Sequence, residues 1–219
     1  MQIERQMKSQ KQIKVYIIGA GGHGQVVADA LLSIGITPAG FLDDNEVLFG
    51  KTILDIPVLG KVSEAKNLDG RFIVAIGDNS TRKRIVERLS FPDRKYFTVV
   101  HHRAIIAKGV KIGAGSMIIG GVVINTGTVI GKHTIINTSV SVDHHNVIGG
   151  FVHIAPGSHT GGAVKVKEGA FLGIGVSVIP GKTIGNWAVI GAGASVITDI
   201  PDNVTAVGVP ARVIKGGNK

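Results

Sequence analysis

Residues 117–136 read MIIGGVVINTGTVIGKHTII, and Ile118, Ile124, Ile130 and Ile136 fall six places apart. Carried outward in both directions, the same phase runs from Val100 to Val196. Sixteen of its seventeen positions hold Ile, Leu or Val, and Thr160 is the exception. Four places further on in each hexad the residue is mostly small or Val, as at Ala104, Ser116, Val122, Thr128, Val140 and Ala188. An α-helix of 3.6 residues per turn cannot hold a six-residue phase, and an ordinary strand alternates with period two. A sustained hexad predicts a parallel β-helix, in which short strands joined by tight turns wind as a coil. The aliphatic residue points inward on each flat face, and the small residue fits where the coil narrows. Three hexads make an eighteen-residue coil, stacked on the next at roughly 4.8 Å. An interior filled by Ile and Val leaves no room for a ligand, so chemistry is expected on the outside, between packed copies.

Residues 14–98 have another texture. KVYIIGA reads as a buried strand, GQVVADALLSIG as a helix closed by Gly35, and PAGFLDD as a second strand. RFIVAIGDN reads as a third strand, followed by the basic helical stretch STRKRIVERLS and then KYFTVV. Strands alternating with helices predict a small parallel sheet whose ligands bind beyond the carboxyl ends of the strands. The loops GAGGHG, LDDN and IGDN all fall at such ends. GAGGHG fits G-x-G-x-x-G, a pattern that offers backbone N–H groups at a helix N-terminus to a diphosphate. By itself it is weak evidence for nicotinamide. This part is roughly half the size of a dinucleotide fold, and no second half-domain is available to hold one.

Composition narrows the field. The chain has 219 residues, of which 44% are apolar but only 5% aromatic, and 32 are Gly. With no Cys, disulfides, thiolate metal ligands and a cysteine acyl-enzyme are excluded. The start MQIERQMKSQKQIK carries no apolar stretch of a secretory leader, and no run of about 18 apolar residues occurs. A cytoplasmic protein without membrane contact is expected. The net charge of +9 suits polyanionic partners. The basic residues are scattered and the β-rich part lacks interleaved aromatics, so no nucleic-acid partner is expected, and phosphorylated small molecules suit the charge equally well. Part of the excess, at Arg5, Lys8, Lys11, Lys14, Lys215 and Lys219, reads equally well as solubilising tail charge.

The repeat [LIV]-G-x-x-[STAV]-x and the ending PDNVTAVGVPARVIK (201–215) resemble the hexapeptide-repeat acyltransferases. Together with GAGGHG, FLDD, AIGDN and NTSVSVDHH, the chain is similar to bacterial nucleotide-activated amino-sugar N-acetyltransferases and their sialic acid O-acetyltransferase relatives. The resemblance implies a Rossmann-like α/β domain joined to a left-handed parallel β-helix. The expected division is a tail at 1–13, a sugar-nucleotide domain at 14–98, the β-helix at 99–200 and a C-terminal segment at 201–219. It further implies a homotrimer with acetyl-CoA in the cleft between neighbouring β-helices, and acetyl transfer to a nucleotide-linked 4-amino-4,6-dideoxy sugar. O-acetylation of a sialic acid or related hydroxyl is the alternative. A non-catalytic sugar-nucleotide binder and an NAD-linked oxidoreductase are more distant ones.

Carried over residue by residue, the resemblance puts Gly21, Gly22, His23, Asp43, Asp44 and Gly77 at the sugar nucleotide. Asp43-Asp44 otherwise reads as a turn, and His23 as a neighbour of the helix cap. His144 stands where the general base belongs, and a histidine suits proton removal from an amine at neutral pH. The family commonly has an acid next, where this chain has His145. Either Asp143 orients the imidazole, or His144 works without a carboxylate; His145 itself reads as an exposed turn residue. Asn137 matches a position near the sugar and reads equally as a ladder or turn residue. His153, Ile174 and Ala192 match acetyl-CoA contacts. Gly162, beside the Thr160 break, is either an oxyanion-stabilising amide or a bulge. No two of His133, His144, His145, His153 and His159 are 18 or 36 apart, so stacked coils supply no metal site and none is expected.

Overall fold

The computed structural model describes residues 14–216; the expected 1–13 tail, with Arg5, Lys8 and Lys11, and also Lys219, lies outside them. The chain opens with β1 (Val15–Ile18), α1 (Gly22–Ser33) and β2 (Gly40–Leu42). A short hairpin follows, β3 (Thr52–Ile53) and β4 (Ile56–Gly60), and then β5 (Arg71–Val74) and α2 (Asn79–Leu89). The sheet order is β3-β4-β2-β1-β5, parallel except for the β3–β4 pair. The chain leaves β1 for β2 on one side, and β5 lies on the other. The crevice beyond β1 is therefore the switch point where ligands of open α/β sheets settle. The β3–β4 hairpin is an addition to the three strands read from the sequence. KYFTVV straddles the boundary expected after residue 98. Tyr96 bridges to Phe72, whereas Val99–Val100 already belongs to the β-helix.

Seventeen two-residue strands, β6 (Val99–Val100) to β22 (Ser195–Val196), form the β-helix. Every pairing is parallel and offset by one coil, for example Met117 with Ile135 and Ile135 with His153. The second residue of each strand is the inward one, and Ile118, Ile124, Ile136, Val142, Ile154 and Leu172 are fully buried. At the narrow position, polar residues are buried without penalty because their hydroxyls reach a corner carbonyl of the next coil. Ser116 Oγ donates to Gly131 O, Thr134 Oγ1 to Gly149 O and Ser158 Oγ to Gly173 O, each at 2.7 Å. The C-terminal segment adds β23 (Val204–Val207), parallel to Val189–Ile190, and an antiparallel β24 (Arg212–Gly216).

The prism has three faces. The first carries Val99, Met117, Ile135, His153, Phe171 and Val189 on its outside; the second carries Ile105, Val123, Ser141, His159, Ser177 and Ser195; the third carries Lys111, Val129, Val147, Lys165 and Thr183. The α/β domain sits on the first face. There Val27, Ala28 and Leu31 of α1 share one apolar cluster with Val99, Met117, Ile119 and Ile135, all buried. These four would otherwise expose a flat aliphatic strip.

The second attachment is polar. Asn79, Arg82 and Lys83 lie at i, i+3 and i+4 on α2, hence on one side of it. Arg82 is wholly buried and gives its guanidinium to carbonyls of both domains: His133 O at 2.8 Å, Phe151 O at 2.7 Å and Ile76 O at 2.7 Å. Its last close partner is Asn79 Oδ1 at 2.8 Å, and Asn79 Nδ2 in turn donates to Gly169 O and Ala170 O. Burial lowers the Arg82 pKa to about 10, so the side chain stays charged at neutral pH. Lys83 pairs with Glu168 at 2.6 Å and lies 5.4 Å from the centre of the Trp187 ring.

Candidate active site

The glycines of GAGGHG divide three tasks. Gly19, at φ +100, makes the tight turn that only Gly adopts freely. A Cβ on Gly24 would stand 2.0 Å from Gly19 O, so Gly there lets α1 approach the strand end. Gly21 and Gly22 face open space, with nothing within 4 Å of where a Cβ would be. Gly21 caps α1 without a side-chain acceptor, which leaves the first-turn N–H groups available to an anion. Gly77, at the end of the neighbouring strand, is equally open.

Asp43 and Asp44 brace these loops. Asp43 accepts from Ala20 N and from Asn45 N, both at 2.8 Å, and so ties the second loop to the first. Asp44 accepts from Val62 N and from Arg88 Nη2. Its pKa is lowered despite the opposing effect of desolvation, because Val62 N–H and Arg88 favour the charged form.

His23 and His153 face each other across the domain junction, ring centres 6.1 Å apart. His153 bridges the domains. Its Nδ1 is 3.1 Å from Gly77 O and its Nε2 is 3.1 Å from Asn137 Nδ2. A carbonyl on one side and an amide NH₂ on the other select the neutral Nδ1–H tautomer. Burial lowers the pKa of His153 and of His23 to about 4, and His23 Nε2 is buried with no partner among the described residues. Asn137 is therefore an outward corner residue; the inward Asn is Asn146, which donates to Gly161 O at 2.9 Å. A cavity of about 480 Å³ opens beside this bridge, lined by Asp78, Ser80, His153, Phe171, Trp187 and Val189 among others.

His144 lies elsewhere, on the edge between the second and third faces. Its exposed ring rests against Gly162 of the next coil, where a Cβ would come within 2.5 Å of Cε1. Two corner N–H groups of this kind are capped by the preceding side chain. His144 N donates to Asp143 Oδ1, and Thr138 N to Asn137 Oδ1, each at 2.8 Å. Gly162 follows Gly161, which has no side chain, and its N–H meets no acceptor among the described residues. Asp143 also accepts from Asn125 Nδ2 at 2.9 Å, which, as the first cause, lowers its pKa. Its other oxygen stands 4.0 Å from His144 Nε2, beyond hydrogen-bond reach. The direct partner of the His144 ring is His145, Nδ1 to Nδ1 at 3.1 Å. His145 is an exposed turn residue, as the sequence suggested, and its ring contact with His144 is an addition to that reading.

Ile174 and Ala192 stack one coil apart on the edge between the first and second faces, with Gly193 N donating to Ile174 O. Within one chain, then, His144 and the Ile174–Ala192 edge are not brought together, and the glycine loops and His153 belong to the first face. Among the described residues no three His, Asp or Glu side chains converge as a metal site would require.

An α/β domain with phosphate-type loops, clamped to a hexapeptide β-helix that carries an exposed corner histidine, defines the hexapeptide-repeat acyltransferase class. Residues 14–89 match the family model of the PglD N-terminal domain. The structure is similar to GDP-perosamine N-acetyltransferase from Caulobacter crescentus, solved with CoA and GDP-perosamine: 37% identity, TM-score 0.85, covering 93% of this chain and 97% of that one. It is also similar to the acetyltransferase domain of PglB from Neisseria gonorrhoeae in complex with acetyl coenzyme A, at 32% identity and TM-score 0.84, covering 92% and 98%. Among curated relatives, UDP-N-acetylbacillosamine N-acetyltransferase of Bacillus subtilis is 42% identical over 110 residues, 48% of this chain and about half, 50%, of that protein. The chain belongs to the nucleotide-activated amino-sugar N-acetyltransferase family.

Proposed function

We propose that the chain transfers acetyl from acetyl-CoA to the amino group of a nucleotide-linked 4-amino-4,6-dideoxy sugar, for surface-glycan precursors. The observation that carries this reading is that the likeness to the Caulobacter enzyme runs through both domains, over 93% of the chain. The open backbone at Gly21, Gly22 and Gly77 supports a diphosphate at the head of α1. Asp43 and Asp44 keep lone pairs for the nucleoside, and Asn137 and His23 flank the path toward the sugar. His144 takes the proton of the attacking amine. The N–C bond forms as the C–S bond breaks, and the same imidazole returns the proton to the departing thiolate sulfur. The free Gly162 N–H, beside the His144 ring, serves the tetrahedral oxyanion. No covalent acyl-enzyme is involved. His153, Ile174 and Ala192 line the acetyl-CoA path.

His144 and the Ile174–Ala192 edge lie on different edges of one prism, so a second copy is needed to assemble the site. A homotrimer meets this need with three identical seams, and the exposed Ile105, Val147 and Ile174 suit burial there. A cytoplasmic setting fits both substrates. The test is CoA release and product mass with a panel of nucleotide-linked 4-amino sugars against a free sialic acid. An N-acetylated sugar nucleotide is expected, at least a hundredfold slower in His144→Ala, by about the usual worth of a general base. CoA release with the sialic acid alone, a His144→Ala protein of full rate, or a solution mass of one chain would overturn the respective part.

A further inference from the structure

We propose that His145 is the positioning residue of the general base, holding His144 in the one tautomer that can accept the amine proton. The inference rests on the reading of His144 as that base. Two Nδ1 atoms 3.1 Å apart must share one hydrogen, since two N–H groups or two lone pairs would repel. With His144 donating and His145 accepting, His144 Nε2 carries the free lone pair. That is the competent state. When Nε2 takes the amine proton, the Nδ1–H bond to His145 becomes charge-assisted and stronger, as a transition-state interaction should.

The backbone is built to keep His145 in place. His145 sits at φ +58, in the left-handed region, at the corner position that most other hexads give to Gly. Its own N–H donates to Thr126 O at 3.0 Å. Its ring lies over Gly127 of the preceding coil, where a Cβ would come within 2.7 Å of Cδ2. His133, Ser139, Phe151, Ala163 and Trp187 take the same left-handed backbone at their corners, so what sets His145 apart is the contact of its ring with the His144 imidazole. The flanking corners present Thr126 and Gly127 below and Gly162 and Ala163 above, none of which titrates. Asp143 is the carboxylate at this corner, 4.0 Å from His144 Nε2 and held by Asn125.

Two substitutions separate the roles. His145→Gly relieves the left-handed backbone and removes the acceptor, whereas His145→Asn tolerates that backbone and puts Oδ1 where Nδ1 stood. We expect kcat of the Gly variant to fall about tenfold or more, with KM for both substrates unchanged and the acidic limb of the kcat profile moved to lower pH. The Asn variant is expected to recover most of the rate. Equal loss in both variants, or wild-type kcat in the Gly variant at unchanged Tm, overturns the proposal. His144→Ala, measured alongside, distinguishes the two failures. If it keeps its rate, the base reading falls; if it is inactive while His145→Gly is not, only the positioning role falls.

Discussion

Replacing Arg82 by Met tests the clamp that holds the α/β domain on the prism. Methionine fills much of the same volume but donates nothing, so the acceptors at His133 O, Phe151 O, Ile76 O and Asn79 Oδ1 all lose their donor. Hydrogen bonds to charged groups are worth about 1.5–3 kcal/mol each, and four would sum to roughly 6–12 kcal/mol. Desolvation of the guanidinium offsets part of that sum, and breaking a buried ionic network costs about 3–5 kcal/mol in practice. We expect a loss in that range, equivalent to a fall in Tm on the order of 10 °C for a chain of this size. Urea unfolding followed by the Trp187 fluorescence reads it directly, since that indole lies beside Lys83 of the docked helix. Arg82→Lys is expected to recover less than half, because one ammonium cannot address carbonyls in several directions. A Met variant within about 1 kcal/mol of wild type would mean that water replaces the guanidinium and that the apolar strip alone docks the domain.

Gly162→Ala adds a methyl 2.5 Å from His144 Cε1 without asking for unusual backbone, so we expect kcat to drop about tenfold or more while Tm moves little. An active variant would show that the ring position on Gly162 is irrelevant to catalysis. Acid sensitivity follows from the buried histidines. His23, His133 and His153 are each lowered, chiefly by burial, from 6.5 to about 4 in the folded chain. Above pH 6.5 neither folded nor unfolded chain binds these protons. Between 6.5 and 4 the unfolded chain binds them first, so stability falls as pH falls, by up to about 3 kcal/mol per group. Urea midpoints at pH 7.5 and 5 should differ clearly, and identical midpoints would contradict the neutral burial of these rings.

The β-helix was legible because its interior takes one aliphatic side chain per strand, and Thr160 stands out as its one polar inward residue in that phase. The glycine loops were legible for a similar reason, since each Gly answers to a local steric demand. The docking of the domains was not. Arg82 sits in STRKRIVERLS, where a run of basic residues reads as a solvated helix face, and only the folded pair shows which one is swallowed. The β3–β4 hairpin is too short for its alternation to register. His145 is the exposed turn residue that its corner position suggested, but its ring contact with His144 depends on a left-handed backbone angle that no spacing reveals. Asn146 was passed over as a break in a small-residue column, although its amide satisfies three carbonyls inside the coil.

The eighteen-residue offset also acts as a ruler. Because α2 clamps the carbonyls of residues 133, 151, 152, 169 and 170, and His144 lies between the first two of these along the chain, the height of its ring relative to the docked domain is set by counting whole rungs. An extra coil spliced in after Val196 would merely lengthen the prism. The same eighteen residues spliced between His144 and Phe151 would split the clamp: His133 and the strip at Val99, Met117 and Ile135 stay below the insertion, while the carbonyls of residues 151, 152, 169 and 170 move away by one rung, roughly 4.8 Å.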